Sequence, residues 1–336
     1  MVGRLRLSGP PGEWRSSPPT VVGREGASGS AASVWSWPNT ERLDASVIAG
    51  VRPQSAGSVN RNGVKVAYQT FGNGPSALLL LPTWTIVHTD FWKLQVRRFS
   101  AQYTIVTFDG RGNGATDRPL DVGSYTADTM VGDALAVLDA TRIERVTVMS
   151  VSLGAYWAAL LGSAAPNRVV SQIFIAPYLP LGPLPADRAA AIETFDVPRV
   201  TYEGWEKWNR HYWHADWPGF LEFFFAQCFT EPDSRPFIEH FMEMGLHTTP
   251  EICALTEDAD DLDETHARRL ASSIAHRSLV IHGDQDAVAP VRWGQRLADL
   301  AGSDLHIVRG GGHEPELREA DEVNELIARF LELVPG

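Results

Sequence analysis

Cysteine is nearly absent from this 336-residue chain, which carries only Cys228 and Cys253. Two thiols cannot build a disulfide framework, so both read as small buried residues of a reduced, cytoplasmic protein. No apolar run approaches the length needed to span a bilayer. No cluster of Lys and Arg occurs, and the net charge is −12. This balance argues against nucleic acid, against an anionic membrane surface and against a highly anionic substrate such as a nucleotide. Metal-ligand spacing is also missing. His211 and His214 are close in sequence but lie between aromatics, without a cysteine or a clear third partner. The expectation is therefore no metal, no other cofactor, and a small molecule as the partner. The sequence carries no mark of an oligomeric state.

Residues 1–55 lack hydrophobic periodicity. They are rich in Gly, Ser, Pro and Arg, with SSPP and GASGSAAS among them. Such text buries too little surface to offset its chain entropy, and is expected to be a disordered or poorly ordered arm. No apolar stretch follows the early arginines, so the arm does not read as a secretory signal.

The chemistry is concentrated in three later segments. The β-rich run RVTVM stops at Ser150-Val151-Ser152-Leu153-Gly154, and the Ala/Leu-rich pattern AYWAALLGSAAP follows at once. A strand that turns sharply into a helix exposes the residue at its bend, and small residues two places to either side let the backbones pass. This is a nucleophile elbow with Ser150 in place of the usual first glycine, and it puts Ser152 forward as an attacking hydroxyl. An ordinary capping serine is the alternative reading of these five residues alone. The second segment, LVIHGDQDAVAP, reads as a strand ending in a turn that carries Asp284 and Asp286. The third, IVRGGGHEPELREADEVNELIARFL, reads as a strand, a Gly-rich loop bearing His313, and a last amphipathic helix. A serine hydroxyl needs an imidazole to remove its proton, and the imidazole needs a carboxylate to fix its tautomer and stabilise its charge. The order serine, aspartate, histidine supplies all three at strand ends.

Over roughly residues 57–335 the chain resembles the α/β-hydrolase superfamily. TFDGRGNGATDRP (107–119) is similar to the family's D-x-R-G-x-G-x-S-D-x-P loop, MSVSLGAYWAALLGSAAPNRV to the elbow and its helix, HGDQDAVAP to the acid turn, and GGGHEPELREADEVNELIARFL to the histidine loop and terminal helix. The resemblance implies Ser152 as nucleophile, Asp286 as acid and His313 as base, with Asp284 the less suited carboxylate. One block departs. After strand three the family has His-Gly-x, whereas this chain has Pro82-Thr83-Trp84. Aligned so, Trp84 supplies one oxyanion amide and Leu153 the other; slipped by one residue, Thr85 becomes the first donor.

The rest of the chain fits an α/β fold: a mainly parallel, doubly covered sheet with a helical cap inserted after strand six. GSVNRNGVKVAYQTFG reads as a hairpin turning at Asn62-Gly63. ALLLLP and YTIVTFD are unbroken apolar strands of the kind buried on both faces. ADTMVGDALAVLDAT reads as a helix and VSQIFIAPY as the next strand. The core is expected over 56–178 and 271–336, with the cap over 179–270. The cap holds GWEKWNRHYWHADWPGFLEFFFAQCF, where Trp205, Trp208 and Tyr212 are spaced for one helical face, and Phe220, Phe223 and Phe224 for the next helix. Asp233 or Ser234 begins a third, with Phe237, Phe241 and Met244 inward, and Thr249-Pro250 begins a fourth. Most of these aromatics read as cap core. Thr85, Tyr178, Trp208, Tyr212 and Phe224 are the candidates to line a substrate pocket. The acidic run Glu257–Glu264 reads as an exposed return from cap to core.

The expected function is hydrolysis of an ester, thioester or lactone of a largely apolar small molecule through an acyl-enzyme on Ser152. Acyl transfer, C–C cleavage and perhydrolysis use the same triad, and a ligand sensor of the same fold is the non-catalytic alternative.

Overall fold

The computed structural model describes residues 51–259 and 262–334. The arm read over residues 1–55 lies outside them except at its end. There the structure corrects its boundary: the Gln54 amide donates to the Thr70 carbonyl at 2.8 Å, and Ser55 already pairs with Thr70.

Eight strands form one sheet: β1 (Ser55–Arg61), β2 (Val64–Phe71), β3 (Ala77–Leu80), β4 (Thr104–Phe108), β5 (Val146–Val151), β6 (Val169–Ile175), β7 (Arg277–Gly283) and β8 (Asp304–Val308). Their spatial order is β1-β2-β4-β3-β5-β6-β7-β8. Pairing is antiparallel between β1 and β2 and between β2 and β4, and parallel from β4 to β8. The β1–β2 hairpin turns at Asn62 and Gly63, with φ of 54° and 84°. Two consecutive left-handed residues match the twist of the flanking strands, which is why Asn-Gly is favoured there.

The central strands are apolar throughout because both faces are covered, and alternate residues serve different layers. Leu78, Leu80, Met149, Val151, Ile173, Ile175 and Ile281 face one layer, together with helices Lys93–Phe99 and Ala320–Glu332. Leu79, Leu81, Val146, Val148, Phe174 and Val280 face the other, covered by helices Ala127–Thr141, Gly154–Ala164 and Val291–Ala301.

Between β6 and β7 run helices Ala186–Glu193, Arg210–Ala215, Trp217–Cys228, Arg235–Gly245, Pro250–Ala259 and Glu264–Ser273. Phe237, Phe241 and Met244 are buried, as their spacing implied. The boundary set at residue 270 runs through the last of these helices. Ala267, Leu270 and Ala271 are buried in the same cluster as Tyr156 and Trp157, so by packing this helix belongs to the layer under the sheet.

Two local readings are corrected. Trp205, Trp208 and Tyr212 do not share one helix. A 3-10 turn, Gly204–Lys207, ends at Trp208, and the Asn209 side chain accepts from the amides of His211 and Tyr212 to start a new helix. Asparagine offers the backbone a capping bond that competes with helix continuation. Nor is the acidic run one solvated return. Glu257 and Asp258 lie in helix Pro250–Ala259, and Asp263 caps the next helix by accepting from His266 N. Glu257 is half-buried, and burial pushes its carboxyl up to about 7. Residues 260 and 261 of the run lie outside the described residues.

Candidate active site

Ser152 stands between β5 and helix Gly154–Ala164 with φ of 52°. A side-chain-bearing residue held there is strained, and the surrounding chain must enforce it. Here β6 does so. The Ser152 amide donates to Ile175 O at 3.0 Å, and its carbonyl accepts from Tyr178 N at 2.9 Å. Ser152 and Leu153 remain partly exposed, while Val151 and Gly154 on either side are buried.

The small residues of the elbow have distinct neighbours. A Cβ on Gly154 would lie 2.8 Å from the Pro82 carbonyl oxygen, so glycine lets the loop after β3 approach the elbow. Ser150 is fully buried, and its hydroxyl donates to Ile173 O at 3.1 Å. The loop thus brought in carries Trp84. Among the described residues no backbone acceptor takes the amide of Trp84 or of Leu153. Both N–H groups are thereby left without a backbone partner.

The loop is pinned by the block at 107–119. Asp109 Oδ1 accepts from the Thr89 amide and hydroxyl at 3.1 and 2.7 Å. Arg111 forms a buried two-pronged pair with Asp133 at 2.6 and 2.9 Å. Thr85 donates its hydroxyl to Arg111 O at 3.1 Å, and its carbonyl accepts from Asn113 at 2.8 Å. Its side chain is therefore tied to this loop.

The carboxylate that meets the histidine is Asp286. Its Oδ2 lies 2.7 Å from His313 Nδ1, with both side chains at most 2% exposed. Its Oδ1 accepts from the amides of Val288 and Ala289 at 2.7 and 2.8 Å. Burial works to raise the Asp286 carboxyl, but the imidazoles of His313 and His282 outweigh it and hold the group well below the usual carboxylate range. Asp284 points elsewhere: its Oδ1 accepts from the Gly310 amide at 2.8 Å and so braces the turn before the histidine loop. The Nδ1 contact fixes the role of the other ring nitrogen, since Nδ1–H to a carboxylate leaves Nε2 as the acceptor.

The inserted helices hold the acid and base loops. The His313 amide donates to Cys228 O at 2.9 Å, and the Gly312 amide to Glu231 Oε1 at 2.5 Å. From helix Ala186–Glu193, Arg188 donates to the carbonyls of Ala287 and Val288 and stacks 4.6 Å from the Trp205 ring. Sequence reasoning missed Arg188 and Glu231, because no local pattern links them to residues about eighty to a hundred places away. His282, four residues before Asp286 in the HGDQD block, likewise has no local signal of its role.

Trp84 is the hub of an aromatic group that it forms with the inserted helices. Its ring centroid lies 5.0 Å from Trp208 and 5.3 Å from Phe224, and its Nε1 donates to Thr256 Oγ1 at 2.7 Å. Tyr178 is half-buried and edge-on to Trp293 at 5.3 Å; burial pushes its hydroxyl up to about 12. Tyr212 stands apart. It packs on Tyr202 at 5.1 Å and donates to Asp216 at 3.1 Å, because the helix restart at Asn209 turns it away from Trp208. The structure thus groups Trp208 and Phe224 around Trp84 and leaves Thr85 and Tyr212 outside that group. No helix among the described residues is long and apolar enough to cross a membrane.

Known proteins agree with this architecture. The 3-oxoadipate enol-lactonase 2 of Acinetobacter baylyi is 25% identical over 238 residues, which cover 70% of this chain and 81% of that protein. The 2-hydroxymuconate semialdehyde hydrolase of a Pseudomonas species is 26% identical, covering 71% of this chain and 80% of that protein. The crystal structure of a bromoperoxidase from Bacillus anthracis superposes with a TM-score of 0.68 at 24% identity, over 80% of this chain and 96% of that one. Residues 78–326 match the alpha/beta hydrolase family. The chain belongs to that family, and it is an α/β-hydrolase enzyme.

Proposed function

We propose that the enzyme is a serine hydrolase that cleaves an ester, thioester or lactone of a largely apolar small molecule through an acyl-enzyme on Ser152. The reading rests on Ser152, a serine held at φ 52° where β5 turns into a helix, in a chain whose buried Asp286 grips His313. His313 Nε2 takes the proton of the Ser152 hydroxyl as Oγ attacks the acyl carbonyl. The oxyanion is held by the amides of Leu153 and Trp84, each such donor being worth about 3 kcal/mol. Collapse expels the alcohol, thiol or ring oxygen, which takes the proton from His313. Water then attacks the acyl-enzyme, with His313 again as base, and Ser152 is released. Asp286 stays ionised throughout and stabilises the imidazolium.

The cap residues support an apolar substrate. Trp84, Trp208 and Phe224 pack ring against ring, while the buried cation Arg188 is spent on the carbonyls of the acid turn and stacked on Trp205. An alkyl-enzyme route through an aspartate is not open to this elbow, whose bend residue is serine. A relative named as an enol-lactonase favours lactone opening, and C–C cleavage is the other acyl chemistry to separate from it. Both form the same acyl-enzyme. A panel of chromogenic esters and thioesters of graded acyl length, with lactones and a β-diketone, tests the reading. Turnover of the esters or lactones, with Ser152 labelled by a fluorophosphonate, is the expected result. Ligand binding with no turnover and no labelling would point to a sensor.

A further inference from the structure

His282 is the last residue but one of β7 and is fully buried. Its Nε2 lies 3.0 Å from Asp286 Oδ2 and 2.9 Å from Ala289 O. A carbonyl oxygen only accepts, and an ionised carboxylate only accepts, so Nε2 carries the proton and donates to both. The other nitrogen, Nδ1, is buried without a hydrogen-bond partner among the described residues. It abuts helix Val291–Ala301, where a Cβ on Gly294 would lie 2.3 Å from it. A second proton on Nδ1 would bury a charged donor with nothing to accept it. His282 therefore carries its proton on Nε2.

Asp286 Oδ2 thus receives two imidazole N–H groups, from His313 on the histidine loop and from His282 on β7. With the two amides on Oδ1, each carboxylate oxygen receives two donors. The other charged or titratable groups acting on Asp286 are Arg188, from helix Ala186–Glu193, the buried Cys228 at the end of helix Trp217–Cys228, and the buried Glu314 beside His313. None of them donates to it. We propose that His282 is a positioning residue for the acid: it fixes the Asp286 carboxylate against the turn and shares its negative charge, and so sets both the aim and the basicity of His313. The proposal rests on the reading of Asp286 and His313 as the acid and base of the Ser152 reaction.

The sign of the effect follows from the donor count. A carboxylate with one donor fewer is a stronger acceptor, and it stabilises the imidazolium of His313 more. Loss of His282 should then raise the pH at which kcat/KM reaches its plateau, and lower kcat through looser aim. A residue that only filled space would change stability without moving that profile.

The variants are His282→Leu, which removes the donor, and His282→Gln, whose amide nitrogen reaches the same place as Nε2. With a chromogenic ester, Leu is expected to lower kcat by about tenfold to a hundredfold, with KM changing less, and to shift the acid limb of the kcat/KM profile upward. Gln should recover most of kcat and return the limb. Nitrogen NMR of histidine-labelled wild-type enzyme, at the pH where kcat is highest, should show His282 as the Nε2–H tautomer, a readout independent of variant folding. A folded Leu variant with unchanged kcat and profile, or a His282 imidazolium or Nδ1–H tautomer, overturns the proposal. If instead Ser152→Ala and His313→Ala retain ester turnover, the failure lies in the triad reading and not in His282.

Discussion

Asp286 Oδ2 lies 2.7 Å from His313 Nδ1, although the two residues belong to separate loops at the ends of β7 and β8. Asp284, two places earlier, instead accepts from the Gly310 amide. Asp286→Asn should therefore leave the fold intact and the imidazole in the wrong tautomer, with kcat down on the order of a thousandfold. Asp284→Asn should cost far less in rate and show mainly as a lower melting temperature. Equal, small rate losses in both variants would place the acid elsewhere.

Ser152→Ala should abolish fluorophosphonate labelling and lower ester turnover by about a thousandfold or more. Ser150→Ala removes the hydrogen bond to Ile173 O, which costs about 1 kcal/mol of stability, and should leave labelling intact. Labelling that survives Ser152→Ala but not Ser150→Ala would show the elbow to be misread.

Gly154→Ala tests the oxyanion loop. The new methyl meets the Pro82 backbone at 2.8 Å, so either the loop or the elbow must shift, and with it the Trp84 amide. The expected outcome is a fall in kcat of tenfold or more with KM changed less, measured on the smallest ester that turns over. Wild-type kinetics would mean that the loop after β3 does not hold the oxyanion.

Glu316 supplies a pH prediction. It is fully buried beside the buried carboxyl of Glu314, and burial pushes its own carboxyl up to about 7. A raised folded-state value means that the folded protein binds the proton more tightly. Stability on this account is greatest at low pH and falls as pH rises from the unfolded value through the folded one. Glu316→Gln should thus raise the melting temperature at pH 8 by roughly 2 °C or more and change it little at pH 4.5. A variant less stable than wild type at pH 8 would contradict this.

Selectivity should lie in the aromatic group. Each methylene buried there gains about 0.8 kcal/mol, so kcat/KM should rise several-fold per carbon until the pocket is full. Trp208→Ala and Phe224→Ala, provided that they fold, should alter this chain-length profile more than turnover of the smallest ester. If both residues are only packing for Trp84, the variants will melt earlier and lose activity on all esters alike.

Wherever the determinants are local, the sequence was legible. Apolar runs marked the buried strands, Asn62-Gly63 set the hairpin, and the small residues about Ser152 marked the bend, because each depends on neighbours in the chain. The helix broken at Asn209 is not legible for the converse reason: three aromatics at helical spacing outweigh one capping side chain. Other relations join residues far apart in the chain. Arg188 grips the acid turn, Glu231 holds Gly312, and His282 and His313 converge on one carboxylate oxygen. Composition, periodicity and motif named the residue types able to do chemistry. Which carboxylate the histidine meets, and which aromatic rings surround Trp84, were decided by the tertiary structure, since hydrogen bonds and ring contacts are set by distances that only the packed sheet and its inserted helices impose.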